Sequence, residues 1–119
     1  MAQGSRFERL TAEAKSKIRE VTPEEAANMQ REGAVLIDVR EAEEFAREHA
    51  AGAVHLSRGV LELKIEQAVP DEATAIVCYC GGGSRSALAA ENLQRMGYTK
   101  VASLAGGFKA WKAANLATG

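Results

Sequence analysis

Apolar positions along the chain fall into short runs, separated by stretches with helical spacing. Leu10, Ala14 and Ile18 recur every four residues, which predicts a helix near the start. Thr22-Pro23-Glu24-Glu25 predicts a second helix entry. Thr22 can cap, Pro23 suits the first helical position, and Glu25 can complete a capping box. Gly33 marks the stop of that helix. Ala34-Val35-Leu36-Ile37-Asp38-Val39 is an apolar run broken by one acid, the pattern of a strand buried on both faces. A short acidic helix over 41–48 follows, then a weak strand at Val54-His55-Leu56. The stretch 59–67, with Val60, Leu61, Leu63 and Ile65, predicts another helix, and Val69-Pro70-Asp71 a turn. Thr74-Ala75-Ile76-Val77-Cys78-Tyr79 is the strongest strand signal in the chain, and Gly81-Gly82-Gly83 follows it. Ser84 or its neighbour then opens a helix with Leu88, Ala89, Leu93 and Met96 inward, ended by Gly97. Val101-Ala102-Ser103-Leu104 is a last strand, and Phe108, Trp111 and Leu116 predict a closing helix.

Strands alternating with helices predict an α/β fold, a mostly parallel sheet with helices on both faces. Ligands of such sheets bind beyond the carboxyl ends of the strands. Cys80 stands at that end of the strongest strand.

Composition narrows the function classes. The 119 residues suit one domain, long enough to bury a core without disulfide staples. A formal net charge of −1 argues against a nucleic-acid partner, which needs a basic stripe, but leaves small anionic ligands open. No apolar run approaches the roughly 18 residues of a membrane span, and the first ten residues carry no apolar signal core. The two cysteines, Cys78 and Cys80, are too few for a secreted disulfide framework. Their Cα atoms, at i and i+2 on a strand, would stand about 6.5–7 Å apart, at the outer edge of disulfide geometry. A reduced protein of the cytoplasm is the expectation.

The segment Cys80-Gly81-Gly82-Gly83-Ser84-Arg85-Ser86 is a nucleophile, a pliant turn and a helix start. Three glycines let the backbone take positive φ and aim several N–H groups inward. The helix N-terminus adds partial positive charge, and Arg85 a fixed charge at the end of the loop. Such a cradle favours thiolate over thiol. It needs no separate general base: the thiolate attacks an electrophilic sulfur, becomes a persulfide, and passes the outer sulfur on. This reading requires that Cys80 titrate below an ordinary thiol and that its side chain not be packed away from solvent. The loop lacks the Gly-Lys-Ser/Thr ending of a nucleotide P-loop, and its glycine spacing is wrong for a dinucleotide fingerprint.

Four segments together resemble one family. They are Ile37-Asp38-Val39-Arg40, the stretch from His49 to Leu56, Tyr79 to Ser86, and Leu104-Ala105-Gly106-Gly107-Phe108-Lys109-Ala110-Trp111. In this order and spacing the chain resembles the single-domain rhodanese-like sulfurtransferases, over roughly residues 18 to 116. The resemblance implies a five-stranded parallel sheet flanked by helices. It divides the chain into an N-terminal helical extension, 1–17, and a rhodanese domain, 18–119, and places a short strand at 18–21 where periodicity alone extends the first helix. Cys80 becomes the nucleophile, and Gly81, Gly82, Gly83, Ser84 and Arg85 the substrate cradle. The four residues between Cys80 and Arg85 fit a sulfur atom; the five of the related phosphatases and arsenate reductases fit a tetrahedral oxyanion. Glu48-His49-Ala50-Ala51-Gly52-Ala53 stands where the family often has Gly-His-Ile-Pro-Gly-Ala, which bears on the local turn rather than on the chemistry.

Other residues have plainer readings. Asp38 and Arg40 are expected to support the site through ion pairs and loop contacts. Arg58 stands where it can draw an anion to the site mouth or remain a solvated arginine. Glu62 is expected on a helix surface, Cys78, Phe108 and Trp111 in the core, and His49 and His55 in local hydrogen bonds. No metal and no cofactor is expected. The leading expectation is transfer of a sulfane sulfur from thiosulfate or a similar small anionic donor, through Cys80, to cyanide or to a small or protein thiol. The alternative is a persulfide carrier in a relay, with poor thiosulfate turnover. A regulatory module without catalysis and a phosphatase are disfavoured, by Cys80 and by the loop length respectively.

Overall fold

The structure, a computed structural model, describes residues 4–119; Met1, Ala2 and Gln3, which belong to the expected N-terminal extension, lie outside the described residues. The elements run α1 (Arg6–Ser16), β1 (Arg19–Val21), α2 (Pro23–Arg31), β2 (Val35–Asp38), α3 (Ala42–Arg47), β3 (Val54–His55), α4 (Leu61–Ala68), β4 (Ile76–Tyr79), α5 (Ser84–Arg95), β5 (Val101–Leu104) and α6 (Gly107–Ala113). The five strands form one sheet in the order β1-β5-β4-β2-β3, and every pairing is parallel.

β4 lies between β5 and β2, and all four of its residues are buried. That placement explains its uninterrupted apolar run: a strand covered on both faces has no solvent side to mark with polar residues. Ile76, Cys78 and Cys80 join Ile37, Val39, the α4 residues Leu61 and Ile65 and the α5 residues Ala89, Ala90 and Leu93 in one apolar cluster. Val77 and Tyr79 join Leu36, Ala102 and Leu104 with Ala26 and Ala27 of α2 and Phe108 and Trp111 of α6 in the other. The period-two alternation of strand side chains separates the two sets.

Two details depart from the hydrophobic pattern. α1 ends at Ser16, and Ile18 precedes the short strand β1, which pairs with β5. The strand implied by the family resemblance therefore wins over helical periodicity, because β5 offers a ladder that a longer helix would forgo. α1 lies against α5, but its buried residues are Thr11 and Ala14, small enough to let the helices approach, while Leu10 is exposed. In α5, Leu88 is half-buried, and Ser86, Ala87, Ala89, Ala90 and Leu93 are its buried residues. Glutamates complete the caps of α2 and α3: Thr22 with Glu25, and Glu41 with Glu44.

Candidate active site

β4 ends at Tyr79, and Cys80 is the first residue beyond the ladder. The chain turns at once into α5. Gly83 is the N-cap of that helix with φ 102°, the left-handed region that glycine occupies without strain. A Cβ there would also stand 3.3 Å from the Gly106 nitrogen and 3.4 Å from the Leu104 oxygen. Of the three loop glycines only Gly83 has a positive φ, so the triplet is needed less for unusual dihedrals than the sequence suggested.

The turn gathers donors on one sulfur. The Gly83 N–H donates to Cys80 Sγ at 3.1 Å and the Ser86 N–H at 3.3 Å, and the Ser86 hydroxyl lies 3.5 Å away. Burial pushes the thiol up. The Ser86 hydroxyl and the N–H groups of Ser86, Gly83 and Gly82 pull it down and prevail, so Cys80 titrates below an ordinary thiol. The second requirement is not met in this structure: Cys80 is buried, 1 % exposed, so a donor reaches its sulfur only when the loop edge gives way. Converging amides necessarily cover the atom they stabilise. Gly82, exposed and with nothing within 4 Å of where a Cβ would sit, is the open edge of the loop.

α6 braces the loop from behind. The Phe108 N–H donates to the Cys80 carbonyl at 2.7 Å and the Lys109 N–H to the Gly81 carbonyl at 3.2 Å. Gly107 packs so closely that a Cβ would lie 2.5 Å from the Cys80 oxygen and 2.6 Å from Gly81 backbone atoms. Ser84 opens α5, half-buried. Arg85 is not a free cation: it pairs with Glu44 of α3 at 3.3 and 3.5 Å, and Glu44 also receives the Glu41 N–H. That amide, with help from Arg85, holds the Glu44 carboxyl below its usual range against a modest cost of burial.

Asp38 and Arg40 form a buried ion pair, with Arg40 Nη2 2.8 Å from Asp38 Oδ2 and Nε 3.0 Å from Oδ1. Arg40 also donates to the Glu48 carbonyl and lies over the Phe108 ring, 4.5 Å from its centroid. It thus ties β2, the end of α3 and α6 together next to the loop. A shallow cavity of about 220 Å³ lies there, lined by Arg40, Glu44, Arg47, Glu48 and Phe108. Arg58 is paired with Glu62 at 2.8 Å, and Glu62 accepts from Asn92 of α5 at 2.8 Å. Glu62 is therefore a bridge between α4 and α5 rather than plain helix surface. His49 and His55 donate to the carbonyls of Phe45 and Arg40, both at 2.8 Å, and both rings stack on Phe45. Cys78 is fully buried, and burial pushes its thiol up to about 12, with the Arg58 charge pulling the other way.

The sequence reading missed three contributors. Ser86 lies in the segment from Cys80 to Ser86 and carries a signal, since the first turn of a helix that follows a cysteine presents both an N–H and a side chain to it. Gly107 lay in the C-terminal signature without a role. Glu44 sits in an acidic helix with nothing local to single it out. Among the described residues no group of three His, Cys, Asp or Glu side chains could hold a metal ion, and no helix is long and apolar enough to cross a membrane.

A family model described as the rhodanese-like domain matches residues 22–114. The thiosulfate sulfurtransferase GlpE of Pseudomonas entomophila is 37% identical over 97 residues, covering 82% of this chain and 87% of that protein. A Rhodopseudomonas palustris protein of unknown function, called a possible tyrosine phosphatase, superposes with TM-score 0.82 at 33% identity over 98% of each chain. The polysulfide-sulfur transferase of Wolinella succinogenes superposes with TM-score 0.82 at 26% identity, over 94% of this chain and 85% of its own.

Proposed function

The chain belongs to the rhodanese-like domain family and is a sulfurtransferase of the thiosulfate type, and we propose that Cys80 carries the transferred sulfur as a persulfide. The observation behind this is the convergence of the Gly82, Gly83 and Ser86 amides and the Ser86 hydroxyl on a single sulfur. An anion there is solvated by fixed dipoles that need not reorganise during reaction. The Cys80 thiolate attacks the outer sulfur of thiosulfate. A new S–S bond forms, the old one breaks, and its electron pair leaves with sulfite. An acceptor thiolate then attacks the outer sulfur of the persulfide, and the pair of the breaking bond returns to Cys80 Sγ. Charge and atoms balance in both halves, and no acid–base residue is required.

Cys80, Gly81, Gly82, Gly83, Ser84 and Arg85 form the proposed site within a catalytic domain over 18–119, with α1 as an appended helix. Asp38 and Arg40 support it from below. Arg58, held by Glu62, reaches an approaching anion only by exchanging partners. Two unbridged cysteines suit the reducing cytoplasm as the working compartment.

One observation favours a carrier role as the second reading. Arg85, the cation of the loop, is already neutralised by Glu44, so a free dianionic donor meets little attraction. Intact-mass measurement after donor treatment decides. Thiosulfate is expected to add one sulfur atom to the protein, and Cys80→Ser to abolish the gain. Gain only from a persulfidated partner protein selects the carrier. Hydrolysis of an aryl phosphate without sulfur uptake would overturn both readings.

A further inference from the structure

Beneath the nucleophile lies a hydroxyl pair outside the loop. Ser86 Oγ and Ser103 Oγ are 2.8 Å apart, and both residues are 0% exposed. Ser103 stands on β5, in register with Cys78 across the sheet, so it is carried by a different element from the rest of the site. Among the described residues, Ser86 is the only hydrogen-bond partner of the Ser103 side chain, and the Ser86 hydroxyl faces only Ser103 and Cys80 Sγ.

A count of protons shows what such a pair does. Two contacts, Ser103–Ser86 and Ser86–Cys80, are available. With Cys80 as thiolate, Ser103 donates to Ser86 and Ser86 donates to Sγ, so two protons fill two contacts. With Cys80 as thiol, three protons compete for the same two contacts, and one buried donor goes unused. Buried donors without acceptors are costly, and a hydroxyl without other partners has no escape to water. The Ser103 proton also fixes the direction of the chain: while Ser86 Oγ accepts from Ser103, its own proton is free only for the sulfur.

We propose that Ser103 is a positioning residue for sulfur transfer, which by occupying the Ser86 oxygen commits the Ser86 proton to Cys80 Sγ. The inference rests on the reading of Cys80 as the sulfur carrier. It serves both half-reactions, since Sγ is the attacking thiolate in the first and the departing thiolate in the second. Few charges act on the sulfur besides this pair. Arg85 acts on it and is itself paired with Glu44; Cys78 stays protonated, and Arg58 is held by Glu62.

The test is the pH dependence of Cys80 alkylation by iodoacetamide in the full chain. Ser103→Ala is expected to move the midpoint up by about one pH unit, which is about tenfold in thiolate at pH values below it. Thiosulfate kcat/KM is expected to fall about tenfold there and to recover at alkaline pH. Ser103→Thr, which keeps the hydroxyl, is expected to restore the midpoint. An unmoved midpoint in Ser103→Ala overturns the proposal. If that variant does not fold, Ser103→Thr against Ser103→Val gives the same comparison of hydroxyl with methyl. Sulfur loading is read separately by mass: an unmoved midpoint with normal loading faults Ser103 alone, whereas a moved midpoint without loading faults the sulfur-carrier reading and leaves the hydroxyl chain standing.

Discussion

Cys78 and Cys80 point into the same apolar cluster and are both buried, yet their thiols are driven in opposite directions. Cys78 sits inside β4, where the neighbouring amides are spent on the ladders to β2 and β5. Its sulfur lies in the apolar cluster, and burial raises it against the weaker pull of the Arg58 charge. Cys80 sits one residue past the strand, where the next amides have no ladder partner and turn toward its sulfur. Depth in the protein is nearly equal in the two cases. Availability of uncommitted backbone donors decides which thiol is lowered and which is raised.

The strongest way to break this comparison is to ask which thiol loads. Cys78→Ala is expected to retain full sulfur uptake from thiosulfate, with all of the added mass on the peptide containing residue 80. Sulfur found on residue 78 would dissolve the distinction. The next largest effect concerns the brace. Gly107→Ala forces a Cβ against the Cys80 and Gly81 backbone, and the loop must shift. A displaced nucleophile cradle is expected to cost about a hundredfold in kcat/KM while the far-ultraviolet spectrum is kept. A smaller effect is pH. Because the Cys80 thiol is depressed, native alkylation is expected to fall about tenfold per pH unit below its midpoint, and that midpoint to lie under the ~8.5 of a free thiol. Only one cysteine should react near pH 8, and two after denaturation.

The smallest effect is on stability. Cys78→Ala is expected to cost about 1 kcal/mol at neutral pH from lost packing. The sign of the pH trend follows from the raised thiol. Above about pH 8.5 the unfolded chain ionises residue 78 while the folded chain does not, so the native state is penalised as pH rises toward about 12. The cost of the substitution should therefore shrink in alkaline solution. Cys80, being depressed, works the other way. Its contribution is complete above the ordinary thiol value and is lost as pH falls through its native one. Urea unfolding of both proteins at neutral and alkaline pH separates the two trends.

Much of this was legible in the chain itself. Buried strands announce themselves as apolar runs, and both α2 and α5 open where cap chemistry and the glycine loop said they would. The place of Cys80, the proposed nucleophile, was legible because a cysteine between a strong strand and a glycine turn stands at the carboxyl end of the sheet. What was not legible depends on contacts distant in sequence. Nothing near Glu44 reveals that Arg85 will take it, and although Glu62 stands four residues after Arg58, nothing local reveals that it also holds Asn92. Leu10 fits a helical stripe, but the stripe that is buried belongs to Thr11 and Ala14, because α5 chooses the face of α1 that lets it come close. Periodicity records which residues can be buried, and neighbours decide which ones are.

The grip of α6 on the loop has an effect at a distance. A trans peptide is a rigid plate with its oxygen and its hydrogen on opposite edges. When the Lys109 N–H anchors the Gly81 oxygen, it swings the Gly82 hydrogen to the inner edge, and the Phe108 N–H does the same for the plate before it. The last helix therefore aims the dipoles of the proposed catalytic turn, which it never joins. Damage to the C-terminal segment would be felt as a blunted nucleophile before it was felt as unfolding.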